Sequence, residues 1–162
     1  MVLRSGYFWR CGCLPAAGRD LFSRRILAWA IDENMEASLV IEPMKNLIFS
    51  HQVKDGFLVH TDGGTQYKSI EFRALLNRHQ FRQSMTRKDN HYDNAHAESL
   101  FSRFKTELMD EYPFFESLEQ AKSATFDFID GYYNTNRKHS AIEYKSPIQY
   151  EGLLVKRKNN EN

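Results

Sequence analysis

The sequence has little of what marks a secreted or a membrane protein. Cys11 and Cys13 are the only cysteines, so neither a disulfide framework nor a complete zinc site is expected. No apolar run approaches the length of a membrane span. Residues 1–19 contain Arg4 and Arg10 and lack the long apolar core of a signal peptide. We therefore expect a cytoplasmic protein that has no membrane partner.

Neither sign of charge dominates. The chain has 22 basic and 21 acidic residues, for a net charge of +1, so contact with a polyanion must come from local patches. The clearest patch runs from Phe72 to Lys88 and contains no acid; its cations are Arg73, Arg78, Arg82, Arg87 and Lys88. Composition alone allows ordinary surface charge as readily as phosphate contacts.

Acidic residues are absent from the first nineteen positions, which also show neither alternation nor a helical period. After them, apolar patterns of period two and period 3.6 follow each other along the chain. They predict strands over Ser23–Ile31, Phe57–Asp62 and Phe81–Thr86, and helices over Glu36–Ser50, Ser69–Arg78, Asn94–Met109 and Ser117–Asn134, with a short turn or helix after Pro147. Such mixing favours one α/β domain, a mixed sheet packed by helices.

Asp62 and Glu98 lie at positions where a strand end and a helix would hold their carboxylates in a fixed direction. Phe57-Leu58-Val59 leads into Asp62, and Gly63-Gly64 follow at once, which predicts a strand that ends in a carboxylate and a turn. Glu98 lies one turn inside a helix that Asp93 or Asn94 can cap. The other face of that helix is apolar, so Glu98 would be held rigidly. On spacing alone, a solvated surface role for Glu98 is the favoured interpretation.

Several linked motifs change that balance. They are His60-Thr61-Asp62-Gly63-Gly64, Gln66-Tyr67, Ser84-Met85-Thr86-Arg87-Lys88, Tyr92-Asp93-Asn94-Ala95, Glu98-Ser99, Tyr133-Asn134, Arg137, His139-Ser140 and Ser146-Pro147. In this order the segment from about Asp20 to Glu151 resembles the catalytic core of the DDE transposases of bacterial insertion sequences, the branch close to retroviral integrases.

The resemblance implies an RNase H-like fold and Mg²⁺-dependent (or Mn²⁺-dependent) DNA strand cleavage and transfer, with DNA as the partner. In that family two Asp and one Glu hold the metal ions. By resemblance Asp62 and Glu98 are the second and third of these catalytic and metal-binding carboxylates. Lys105 matches a position that faces DNA. Further DNA-binding residues are predicted at Arg87, Lys88, Asn94, Arg137 and His139.

The first aspartate of the family is missing. It belongs to a strand that precedes Asp20, and residues 1–19 offer no acid. Asp20 and Asp32 stand in other contexts and are not assigned its role. We therefore expect an RNase H-like mixed sheet without its first strand or strands. The predicted organisation is an out-of-family segment 1–19, produced by truncation with a shifted reading frame, a partial core 20–151, and a basic, disordered tail 152–162.

Three functional interpretations stay open. The first is a partial transposase core whose catalysis is impaired. The second is a non-catalytic DNA-binding fragment that forms homo-oligomers or associates with an intact transposase and inhibits it. The third is a remnant without a role. An RNase H-type nuclease is the runner-up enzyme, and the motifs from Tyr92 to Glu98 and from Tyr133 to His139 argue against it.

Overall fold

The computed structural model describes residues 1–5, 14–34, 36–50, 53–86, 102, 106–108 and 115–160. Its strands are β1 (Val2–Ser5), β2 (Leu14–Arg19), β3 (Ile26–Asp32), β4 (Leu58–Thr61) and β5 (Arg82–Met85). Its helices are α1 (Ser38–Ser50), α2 (Ile70–Arg78), α3 (Leu118–Phe126) and α4 (Pro147–Asn160). A 3-10 turn covers Thr65–Lys68, a π-helix continues α3 over Asp127–Tyr133, and a second 3-10 turn covers Ser140–Ile142.

The strands form one mixed sheet in the order β3-β2-β1-β4-β5. The pairs β1–β2 and β2–β3 are antiparallel, whereas β1–β4 and β4–β5 are parallel. Parallel neighbours need a crossover, and α2 supplies it between β4 and β5. The predicted mixed sheet with flanking helices is confirmed.

The prediction that the first strands are missing is wrong. Val2–Ser5 occupies the centre of the sheet, and Leu14–Arg19 lies beside it. Pro15 and Gly18 disfavour a strand in isolation, but the backbone pairing tolerates them here. Over the described residues, the pairing of β2 with β1 extends to Ser5 and Ala16, and Pro15 stands opposite Ile31 of β3.

Each face of the sheet packs against its own hydrophobic cluster. Ala16 and Ala17 are consecutive and buried in different clusters, as alternation along a strand requires. The first cluster joins the sheet to α1 and α2; its buried members are Met1, Ala16, Ala28, Leu39, Val40, Met44, Leu47, Val59, Tyr67, Phe72, Leu76 and Phe81. The second joins the sheet to α3 and the π-helix; its buried members are Ala17, Ile26, Ile31, Leu108, Phe115, Ala121, Ala124, Phe128, Ile129 and Tyr133.

Local signals place most helix starts as predicted. Ser69 accepts a hydrogen bond from the Phe72 amide at 3.1 Å, and Ser117 accepts one from the Gln120 amide at 3.2 Å. Pro43 lies inside α1, which begins five residues earlier at Ser38. Of the predicted helix Asn94–Met109, residues 102 and 106–108 are described, and they are helical.

The C-terminal end differs from the predicted disordered tail. Helix α4 continues to Asn160. It is joined to the rest of the chain near its start: the Ile148 amide donates to the Asn134 carbonyl at 3.1 Å, and Glu151 pairs with Arg25 at 2.8 Å. Among the described residues, no helix combines the length and the apolar character that crossing a membrane requires.

Candidate functional site

Asp62 stands directly after the last residue of β4, at the carboxyl end of the parallel part of the sheet. Val59 and Thr61 are fully buried, and Val59 belongs to the cluster of α1 and α2. Because side chains alternate along a strand, His60 and Asp62 point to the opposite face. Asp62 is half-buried, and its Oδ1 accepts a hydrogen bond from the Gly64 amide at 3.0 Å. The predicted strand that ends in a carboxylate and a turn is therefore present.

The neighbouring strand β5 lines this end of the sheet with polar side chains. His60 lies between two hydroxyls, with Nδ1 3.1 Å from Ser84 Oγ and Nε2 3.2 Å from Thr86 Oγ1. The Gln83 amide nitrogen donates to Thr61 Oγ1 at 3.2 Å and to the Tyr67 carbonyl at 3.0 Å. Ser84 and Thr86 belong to a motif quoted from the sequence, and alternation along the predicted strand was the signal that could have paired them. Gln83 lies on the opposite face of the strand, and no sequence signal singled it out.

The two other acids that were considered for the missing aspartate lie far from Asp62. Asp20 follows Arg19, which is level with Val2 and thus with His60, and β2 runs the other way. Asp20 is therefore about 10 Å from Asp62 along the strands and two strand spacings to the side. Its Oδ2 accepts from the Ser23 amide at 2.6 Å and the Ser23 hydroxyl at 2.8 Å, so it closes a local turn.

Asp32 ends β3, which is separated from β4 by β2 and β1. Three strand spacings amount to about 14 Å, and its Oδ1 accepts the amides of Glu33 and Asn34 at 2.7 and 3.3 Å. Within the described part of the chain, no group of three His, Cys, Asp or Glu side chains could hold a metal ion. Asp62 thus offers one oxygen ligand of the kind Mg²⁺ prefers, and no described carboxylate completes the set.

Five predicted site residues lie outside the described residues. They are Glu98, Arg87, Lys88, Asn94 and Lys105. The convergence of Asp62 and Glu98 on one metal site and the DNA contacts of the other four stay predictions.

Arg137 is described, and its guanidinium is held by the protein. Its side chain is 10% exposed. Nε donates to both carboxylate oxygens of Glu107, at 3.0 and 2.8 Å, and Nη2 donates to Oε1 at 2.6 Å. The guanidinium carbon also lies 5.5 Å from the ring centroid of Tyr133. These hydrogen bonds to Glu107 raise the pKa of Arg137. The predicted DNA contact of Arg137 is untested, and the ion pair gives the residue a structural role.

His139 is half-buried beside Arg137. Arg137 Nη1 lies 3.1 Å from His139 Nδ1, and an arginine can only donate, so Nδ1 accepts and the ring is neutral. The ring also packs edge-on against Tyr133 at 5.0 Å. Burial and the nearby Arg137 charge lower the pKa of His139 to about 4. At neutral pH the residue therefore carries no charge to offer a phosphate, and its predicted DNA contact is untested.

Asn134 is a second structural residue of the same motif. It is 2% exposed, and its side chain pairs with one residue of β3: Oδ1 accepts from the Ile26 amide and Nδ2 donates to the Ile26 carbonyl, both at 3.0 Å. The residues 133–139 thus join the π-helix to an edge strand and to the helical segment that contains Glu107. This motif carries part of the family resemblance, but no local signal in the sequence pointed to Ile26 or Glu107.

The mixed sheet and its flanking helices have the fold of integrase catalytic cores. Two overlapping models described as "Integrase core domain" match residues 15–91 and 79–147. The chain superposes on the catalytic core domain of BIV integrase with a TM-score of 0.68 at 16% identity, covering 99% of this chain and 98% of that one. It also superposes on the HTLV-2 integrase catalytic core domain, solved in complex with magnesium, with a TM-score of 0.62 at 12% identity, covering 92% and 94%.

Closer sequence relatives are transposases. The transposase for insertion sequence element IS904 of Lactococcus lactis is 38% identical over 136 residues, which are 84% of this chain and 53% of that protein. Transposase InsF for insertion sequence IS3A of Escherichia coli K12 is 36% identical over 132 residues, 82% of this chain and 46% of that protein. The chain belongs to the integrase core domain family, with the insertion-sequence transposases. It spans about half the length of the curated relatives it matches.

Proposed function

We propose that this chain is a transposase core that binds DNA but does not by itself cleave or join it. One observation carries the proposal: the central strand β1, Val-Leu-Arg-Ser, contains no carboxylate. Val2 pairs with His60 and Leu3 with Thr61, so the next position, Arg4, is level with Asp62. The first of the three acids of the family would be expected on this strand.

A metal pair needs several oxygen ligands that also neutralise its charge. Asp62, joined by Glu98 as predicted, would hold Mg²⁺ or Mn²⁺ from one side. The register places an arginine position beside Asp62 where a further acid is needed, and neither Asp20 nor Asp32 replaces it. The described donor set therefore does not fit the two-ion site, and no reaction step is assigned to it. Loss of one ligand is expected to lower the rate by several orders of magnitude.

DNA binding is supported by the basic run that begins in α2 and continues into β5. Arg73, Arg78 and Arg82 are all exposed in the structure, so their charges can reach a phosphate backbone. Contacts of this kind are independent of base sequence and weaken steeply with salt. We expect non-specific duplex binding whose affinity falls as the salt concentration rises.

The test is a strand-transfer assay of the purified chain with Mg²⁺ or Mn²⁺ and DNA that carries the element's own ends. The unmodified chain is expected to give no nicked or joined product. Arg4→Asp, which places a carboxylate level with Asp62, is the variant in which nicking could return. Arg4→Asn removes the same cation without adding an acid and serves as the control. Product from the unmodified chain that Asp62→Asn abolishes would contradict the proposal.

Inhibition of an intact transposase is the second candidate function. It is favoured by two large apolar side chains, Phe49 at the end of α1 and Ile70 at the start of α2, which are 95% and 83% exposed. The chain would then act by forming mixed oligomers. Adding it to a working transposition reaction of a related enzyme should lower the yield, and Phe49→Ser with Ile70→Ser should restore it. An unchanged yield leaves a remnant without this role.

A further inference from the structure

The loop that carries Asp62 is tied at both ends by one side chain. The Gln83 amide nitrogen donates to Thr61 Oγ1, one residue before Asp62, and to the Tyr67 carbonyl, five residues after it. Thr61 and Tyr67 are both fully buried. Gln83 therefore connects two fixed points, and the intervening loop is closed across the end of β4.

The direction of the Asp62 carboxylate depends on the position of that loop. Asp62 Oδ1 accepts from the Gly64 amide at 3.0 Å, so a shift of the backbone at residue 64 turns the side chain at residue 62. Gly64 itself is closely packed, because a Cβ there would come within 2.5–2.8 Å of the Gln66 side chain. Gln66 is 6% exposed, which leaves it little room to move aside.

Strand β5 fixes the start of the loop as well. Thr86 donates its amide to the Thr61 carbonyl at 2.9 Å, and its hydroxyl lies 3.2 Å from His60 Nε2. Ser84 holds the other ring nitrogen of His60. These contacts set the register of β4 on β5. Of the β5 side chains Gln83 and Ser84 and the following Thr86, Gln83 is the one that also contacts the far end of the loop, at the Tyr67 carbonyl.

We propose that Gln83 is a positioning residue for Asp62, holding the loop so that the carboxylate keeps one direction. The inference rests on one part of the proposed function, in which Asp62 would still hold a divalent ion from one side although the two-ion site is incomplete. A carboxamide suits the task because one nitrogen serves two acceptors, the Thr61 hydroxyl oxygen and the Tyr67 carbonyl. Partners that hydrogen-bond a metal ligand directly change metal affinity by about 10–100-fold when removed. Gln83 acts one contact further out, through Thr61 and Tyr67, so the lower end of that range is expected.

The test compares Gln83→Met with Asn77→Met in the full chain. Asn77 is exposed on α2, so its variant makes the same amide-to-thioether change away from the loop. Two nuclear magnetic resonance readouts are used: hydrogen exchange and chemical shift of the Gly64 amide, and broadening of the Gly63 and Gly64 amides by Mn²⁺. In Gln83→Met we expect faster Gly64 exchange and a Mn²⁺ midpoint raised about tenfold. Asn77→Met should match the unmodified chain in both.

The two readouts separate the inference from the function on which it rests. If Mn²⁺ broadens neither glycine in the unmodified chain, the metal role of Asp62 is wrong, and the Gly64 amide still decides on Gln83. If Gly64 exchange and shift stay unchanged in Gln83→Met, the positioning role is wrong. Thr61→Val is nearly isosteric and removes one of the two acceptors; it should shift Gly64 in the same direction by less, and replaces Gln83→Met if that variant does not fold.

Discussion

Replacing Arg137 by Met distinguishes a structural arginine from one that contacts DNA. The substitution keeps a similar stem but removes three hydrogen bonds to Glu107, at 2.6 to 3.0 Å, and the contact with the Tyr133 ring. Breaking a buried pair costs about 3–5 kcal/mol, because the remaining charge loses its partner. The Glu107 side chain is 29% exposed, so water can reach it, and about 2–3 kcal/mol is expected after this correction.

That loss is large enough to measure by thermal melting. For a chain of this size each kcal/mol shifts the Tm by about 2–4 °C, so Arg137→Met should melt about 4–12 °C lower. Lys138→Met is the matched control: it removes the same charge one residue later, from an exposed side chain that contacts Gln149 at 2.9 Å. It should stay within about 0.5 kcal/mol. If Arg137→Met melts like the control and instead weakens DNA binding, the structural assignment is refuted.

Three further changes test the same region. Asn134→Ala leaves the backbone amide and carbonyl of Ile26 unpaired and should cost about 2–4 kcal/mol, whereas the exposed Asn136→Ala should cost under about 0.5 kcal/mol; equal urea midpoints would contradict this. The pKa of His139 is about 4 when folded and 6.5 when unfolded, so stability should fall as the pH drops from 6.5 toward 4, by about 1–2 kcal/mol after allowance for solvent screening. His139→Phe should reduce that slope in urea titrations at pH 6.5 and 5.0, and an unchanged slope would refute it. Glu143 has φ 59°, a left-handed conformation that costs a residue with a Cβ about 1–2 kcal/mol. Glu143→Gly should therefore raise stability by under about 1 kcal/mol, since it also removes exposed ion pairs with Lys145 and Arg157 at 3.5 Å; a lower urea midpoint would count against it.

The sequence predicted elements well where one local signal was strong. Alternation and turn residues placed β4 and Asp62, and Ser69 and Ser117 marked helix starts that the structure confirms. It failed at β2, where Pro15 and Gly18 argue against a strand and only pairing with β1 and β3 decides the outcome. The sequence prediction also treated residues 152–162 as a tail, whereas α4 continues to Asn160.

The site was predicted less completely because its contacts are long-range. Asp62 could be found from the motif that contains it, but the partners of Arg137 and Asn134 are 30 and 108 positions away. No periodicity encodes such pairs. Arg137 and His139 were therefore assigned to DNA, the partner that the family resemblance suggests, whereas in the structure Arg137 contacts Glu107 and His139.

The central strand shows why fold and activity can separate in this family. A strand joins a sheet through backbone amides and carbonyls, which every residue of Val2–Ser5 possesses. The order β3-β2-β1-β4-β5 can therefore be completed by a segment without an acid. A metal site makes the opposite demand, since it depends on one side chain at one register position. Superposition on integrase cores therefore establishes the sheet alone, because a match between backbones does not report which side chain stands beside Asp62.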